Sequence, residues 1–269
     1  MAAADRFALS EATALVTGAT GGIGQAIARA LAAQGTGLVL SGRRRDELTR
    51  LAGELGARAA VADLADRSDV DRLAAEAGAV DILVANAALP ASGLLLEFGQ
   101  EDVDRMLEVN LRAPIALARS LMPGMVARRR GQLVFIASLS GKAANPASSL
   151  YSATKFGLRG FALSLREDLR PHGVGVSLVS PGFVSDAGMF AKAGVTLPPG
   201  VGTRTPDQVA AAVIEAIVRD RAEIEVAPVP LRLGASVAAV APALAAWGAR
   251  RMGSDRIARQ MAERQRGVR

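Results

Sequence analysis

The 269-residue chain has one His, one Tyr, one Trp and no Cys. Without cysteine it can form no disulfide framework, thiolate zinc site, iron–sulfur cluster or cysteine nucleophile, and His172 alone cannot make a His-rich metal centre. The formal charge of +6 is concentrated from Arg250 onward, where seven arginines face only Asp255 and Glu263. No aromatic residue accompanies them to stack on bases, so nucleic acid is not an expected partner.

The first ten residues include Asp5 and no long apolar run, so no secretory leader is expected. That and the lack of cysteine fit a cytoplasmic location. Short apolar runs then alternate with longer amphipathic stretches. Strands are predicted at 12–17, 37–41, 57–62, 81–86, 132–138, 175–180 and 224–226. Helices are predicted at 23–34, 45–55, 68–77, 101–128, 150–170 and 206–220. Several strands are almost wholly apolar, as strands covered on both faces must be, which predicts a mainly parallel seven-stranded sheet with helices on each side. The connections are short, and no Pro/Ser-rich linker divides the chain. The expectation is one doubly wound α/β domain over residues 1–226.

Residues 227–269 break this rhythm as a C-terminal extension. Residues 233–249 carry no charge and are followed by the Arg-rich tail. Gly234, Pro242 and Gly248 weaken a spanning helix. A helix covering a pocket or subunit surface, a peripheral contact with anionic lipid and a short membrane span all remain open for this stretch.

Thr17-Gly18-Ala19-Thr20-Gly21-Gly22-Ile23-Gly24 joins the first strand to the first helix. Glycines let the backbone approach a pyrophosphate, and a helix N-terminus offers free N–H groups and a positive dipole end. Gly18, Thr20, Gly22, Ile23 and Gly24 are therefore candidate dinucleotide contacts. Farther along, Tyr151 and Lys155 are separated by one helical turn, which puts both on one helix face. A phenol is a weak acid/base at neutral pH, and a nearby ammonium lowers its pKa toward useful values. Ser138 is expected at the end of the preceding strand. His172 lies in a helix-ending turn and is read as an ordinary connector.

With TGxxxGxG at Thr17, Gly18, Gly22 and Gly24, and with Ser138, Tyr151 and Lys155, the chain resembles the classical short-chain dehydrogenases/reductases from about residue 12 to 226. The resemblance implies a Rossmann-type fold and hydride transfer between a nicotinamide cofactor and a carbonyl or secondary alcohol. It gives Ser138 the role of orienting the substrate oxygen, and Tyr151 that of exchanging its proton. Lys155 would hold the nicotinamide ribose and depress the Tyr151 pKa, and Asn110 would anchor a water relay to Lys155. It further implies cofactor contacts at Asp63 and Leu64, at Asn86 and Ala87, and at Pro181, Gly182 and Val184. Ala88 replaces a usual glycine, and Asp186 a usual threonine.

In this family an acidic residue at the end of the second strand commonly marks NAD preference. Here that position is Gly42, followed by Arg43, Arg44 and Arg45. A guanidinium binds a 2′-phosphate that a carboxylate would repel, so NADP is expected, with Arg43 as the main ligand and Ser41 or Arg44 assisting. Residues 187–202 are expected to form a mobile substrate lid. Apolar residues at 89–96, at Met189 and Phe190 and in the C-terminal segment favour an apolar substrate. A 3-oxoacyl thioester reductase, its basic tail meeting an acidic carrier protein, and a non-catalytic NADP-sensing protein are the alternatives. The resemblance also implies a homodimer or homotetramer built on the helices at 101–128 and 150–170.

Overall fold

Parallel strands alternate with helices along the chain in the computed structural model, which describes residues 8–90, 92–186, 202–251 and 263. In order these are β1 (Thr13–Val16), α1 (Gly22–Ala33), β2 (Gly37–Gly42), α2 (Arg45–Leu55), β3 (Arg58–Val61), α3 (Arg67–Ala77) and β4 (Ile82–Ala85). Then follow α4 (Gln100–Leu107), α5 (Ala113–Arg128), β5 (Gly131–Ile136), α6 (Ser149–Leu169), β6 (Val174–Pro181), α7 (Pro206–Arg219), β7 (Glu223–Val226), α8 (Val229–Val240) and α9 (Pro242–Arg251). The predicted lid at 187–202, with Met189 and Phe190, falls almost wholly outside the described residues, as does most of the Arg-rich tail.

The seven strands stand in the order β3-β2-β1-β4-β5-β6-β7. Every pairing is parallel. Alternation along each strand sends neighbouring side chains to opposite faces. Val16, Leu40 and Val84 join α1, α2 and α7 through Ile27, Leu48 and Val213. Leu15, Val39 and Leu83 join α3, α5 and α6 through Leu73, Leu117 and Leu165. The strand order reverses between β1 and β4, and in such sheets the crevice beyond the carboxyl ends of the strands at that switch is where ligands bind.

Beyond shifts of a single residue, the structure differs from the sequence reading in three places. The helix expected over 101–128 is interrupted by a π turn at Glu108–Arg112, where Ala113 N donates to Glu108 O. Pro114 has no N–H to donate to the Asn110 carbonyl four residues earlier, so regular α-helical bonding fails there. β5 stops at Ile136 rather than Ser138, because the Ser138 hydroxyl accepts from Ser140 N at 3.1 Å and starts the short turn Leu139–Gly141. The C-terminal apolar stretch forms two helices, with Ala241 out of helical geometry before Pro242 (φ −132°, ψ 69°). A residue preceding proline is driven out of helical geometry.

Candidate active site

At the carboxyl end of β1, Gly18 takes a left-handed conformation (φ 63°), and a methyl group there would lie 2.8 Å from Ala87 Cα. A methyl on Gly24 would overlap Gly18 O, so these two glycines let the loop, α1 and the β4 end close on one another. Thr17 fastens the seam: its hydroxyl oxygen accepts from Asn86 N at 3.0 Å and Ala87 N at 3.2 Å. The Asn86 side-chain amide donates to Thr17 O (3.0 Å) and Gly18 O (3.2 Å). α1 opens at Gly22 with no side-chain cap on its first turn. Gly22, Ile23 and Gly24 thus leave the helix N-terminus open toward an anion, and Thr20, at 7 % exposure, lines the loop behind them.

β2 ends at Gly42, so no side chain projects there. Its nearest neighbour is Thr20: a methyl on Gly42 would lie 3.2 Å from the Thr20 hydroxyl oxygen. The side chain of Arg43 is 53 % exposed and pairs only at 4.0 Å with Asp63. Its two expected helpers are placed differently. Ser41 is buried at 1 % exposure and so is not open to a phosphate. Arg44 donates to Thr20 O at 2.6 Å and pairs with Glu47 at 3.0 Å, which makes it a brace for the glycine loop. Asp63, beyond β3, accepts from Ala65 N and pairs with Arg105 at 3.3 Å. The Leu64 side chain belongs to the core, which leaves its backbone as the part able to face a ligand.

Beyond β5, Ser138, Tyr151 and Lys155 come together. The Ser138 hydroxyl stands close enough to the Tyr151 phenol to stabilise its ionised form. Lys155 is buried, donates from Nζ to Ile136 O at 2.9 Å, and holds that nitrogen 5.7 Å from the Tyr151 ring centroid. Burial pushes the phenol up to about 12, with the Ser138 hydrogen bond pulling the other way. The expected depression by Lys155 is therefore not what sets the phenol: desolvation dominates, and Ser138 is the group that opposes it. Burial also pushes Lys155 down, to about 8. Asn110, in the π turn, binds the backbone of Leu89 with both ends of its carboxamide, accepting from N at 2.7 Å and donating to O at 3.0 Å. Its side chain therefore braces the segment after β4.

Pro181 ends β6 at the same edge of the sheet, and a methyl on Gly182 would meet Ala227 Cβ at 3.0 Å and Leu139 Cδ1 at 3.4 Å. Val184 is buried and forms an isolated bridge with Arg204. Asp186 is left-handed (φ 60°), a conformation Asp tolerates better than most residues. His172 is exposed in a short turn away from this edge, and no metal-binding cluster occurs among the described residues.

The family model for short chain dehydrogenase matches residues 12–196. The chain belongs to the short-chain dehydrogenase family. It is 43% identical over 187 residues to nodulation protein G of Rhizobium sp. (strain N33), covering 67% of this chain and 76% of that protein. It is 35% identical over 178 residues to 3-oxoacyl-(acyl-carrier-protein) reductase FabG of Rickettsia conorii, covering 65% and 74%. Among solved structures it resembles a short-chain dehydrogenase from Sphingobium yanoikuyae in complex with NADPH, with TM-score 0.74, 28% identity, and coverage of 80% of this chain and 87% of that one. The short-chain dehydrogenases are oxidoreductases, and the seven-stranded parallel sheet described above is their Rossmann-like fold.

One cluster at the site of this short-chain dehydrogenase escaped the sequence reading. Lys142, just after the Ser138 turn, pairs with Glu223 at 2.8 Å and Glu225 at 2.5 Å on β7. Arg159 of α6 also holds Glu223, at 3.1 Å, and Arg232 of α8 holds Glu225, at 3.3 Å. Burial pushes the Glu223 carboxyl up, but Arg159 and Lys142 outweigh it and leave it lowered. The scarcity of lysine marked Lys142 as unusual, yet nothing in the sequence paired it with residues eighty positions away.

Proposed function

We propose that the protein is an NADP(H)-dependent carbonyl reductase/alcohol dehydrogenase acting on an apolar substrate. The observation that carries this reading is the convergence of Ser138, Tyr151 and Lys155 beside the glycine loop at one sheet edge. The open helix N-terminus at Gly22–Gly24 would take the pyrophosphate, and Arg43, with Gly42 in place of an acid, the 2′-phosphate. Bound there, the nicotinamide supplies the hydride chemistry.

The chain's own residues orient the substrate and move one proton. Ser138 donates a hydrogen bond to the substrate oxygen and orients it. Tyr151, a neutral phenol at neutral pH, donates its proton to that oxygen as negative charge develops. Lys155, one helical turn away, stabilises the phenolate left behind when it is charged. The NADPH complex of the Sphingobium relative supports the cofactor choice. The FabG relative supports 3-oxoacyl thioesters as a second substrate class. The cysteine-free composition supports a cytoplasmic setting, and the exposed Leu107 and Phe156 on α4 and α6 support a homodimer or homotetramer.

The test is oxidation of NADPH and NADH over a panel of ketones, aldehydes and 3-oxoacyl thioesters. The expected result is turnover of at least one carbonyl class with NADPH strongly preferred, and inversion of that preference in Arg43→Asp. Tight NADPH binding with no carbonyl reduced would overturn catalysis in favour of an NADP sensor. An unchanged cofactor ratio in Arg43→Asp would remove the phosphate assignment.

A further inference from the structure

α8 and α9 pack on each other and leave a broad apolar side uncovered. Along α8, Val229, Leu233, Val237 and Val240 recur every three or four residues on one face, all exposed, with Val240 at 87%. Leu244 and Trp247 are exposed in turn on α9, beyond the break at Ala241, Trp247 at 51%. The Arg251 guanidinium closes the row, 4.4 Å from the Trp247 ring centroid. Ala235 is the buried residue of α8, and Leu231 reaches inward, where a methyl on Gly182 would lie 3.8 Å from its Cδ1. Surfaces left in water rarely keep such a row open.

Charge identifies the occupant. Between Glu225 and Asp255 there is no acidic side chain, and from Arg250 onward seven arginines stand against two acids. Two copies facing each other through this surface would bring Arg232 and Arg251 of each together with no acid among residues 226–254 to offset them, at an electrostatic cost. An anionic lipid surface instead attracts the arginines while the apolar row enters the acyl boundary, with Trp247 at headgroup level. No helix among the described residues is long and apolar enough to cross a membrane. The 12 residues of α8 extend roughly 18 Å against a hydrocarbon core of roughly 30 Å, so the contact lies in the plane of the interface. We propose that the α8–α9 face docks the protein peripherally on an anionic lipid bilayer. This stands independently of the cofactor and substrate assigned above.

Trp247 is the sole tryptophan, so its fluorescence reports on this face alone. The full chain is titrated with phosphatidylcholine vesicles and with vesicles containing phosphatidylglycerol, following Trp emission and co-sedimentation. The expected result is a blue shift and co-sedimentation with the anionic vesicles at least about tenfold stronger than with phosphatidylcholine, weakened by salt. The double variant Val240→Glu/Leu244→Glu, changed only at exposed positions, is expected to lose the shift while keeping its circular dichroism. Absence of binding to the anionic vesicles overturns the proposal. So does a blue shift that grows with protein concentration without lipid, alongside a doubled sedimentation mass, which would assign the face to a second copy.

Discussion

Tyr151 and Lys155 are displaced in opposite directions by one cause. Burial disfavours whichever form is charged, so it raises the phenol to about 12 and lowers the ammonium to about 8. Carbonyl reduction needs a protonated Tyr151 and a charged Lys155. The first condition holds throughout the neutral range, and the second is lost as pH rises through about 8. Reductive turnover should therefore be flat below neutrality and fall above pH 8, by roughly tenfold per unit at the alkaline end. Lys155→Arg, which keeps its charge, should move that fall upward. A reductive kcat that stays level to strongly alkaline pH would contradict the assignment. Helical spacing was enough to place this pair on one face. The sign of the Tyr151 shift was not legible, since it depends on how α6 packs against the end of β5, which spacing does not encode. Asn110 was likewise found by motif, but its use on Leu89 follows from the π turn.

At the scale of elements, the Ser138 turn is held from outside by Lys142 on Glu223 and Glu225 of β7. Removing the cation leaves two neighbouring carboxylates in a largely buried setting with Arg159 and Arg232 as their remaining partners. Lys142→Met should cost about 1–2 kcal/mol, because breaking one member of a buried ionic cluster strands the others. Thermal unfolding should show Tm lower by roughly 5 °C. The variant should also lose kcat while NADPH binding persists, since the loosened turn carries Ser138 and not the glycine loop. Unchanged Tm and kcat would show that the cluster does not support the turn. The inner strands were legible because neighbouring residues alternate between two cores, as Leu15 and Val16 do, while β7 sends Ile224 and Val226 to one core alone. The π turn was not read from the sequence, although Pro114, which cannot donate to the Asn110 carbonyl, marks where regular α-helical bonding fails. The split between α8 and α9 was foreshadowed by Pro242, though the outward apolar row required the packing of both helices to be seen.

For the whole molecule, one edge of the sheet gathers everything the proposed chemistry needs. The carboxyl ends of β1, β2 and β4 bring the glycine loop, Arg43 and Asn86, while those of β5 and β6 bring Ser138 and Pro181–Val184. α8 leans over the same edge through Leu231, so the apolar C-terminal face adjoins the site without forming part of its proton chemistry. The central claim is that this edge reduces a carbonyl with Tyr151 as the proton donor. Its most direct test compares wild type and Tyr151→Phe for steady-state reduction of a substrate from the carbonyl panel and for NADPH affinity by fluorescence titration. The predicted result is a loss of turnover of at least about a thousandfold with NADPH affinity nearly unchanged. Substantial residual turnover in Tyr151→Phe, with the cofactor bound as tightly as before, would contradict it.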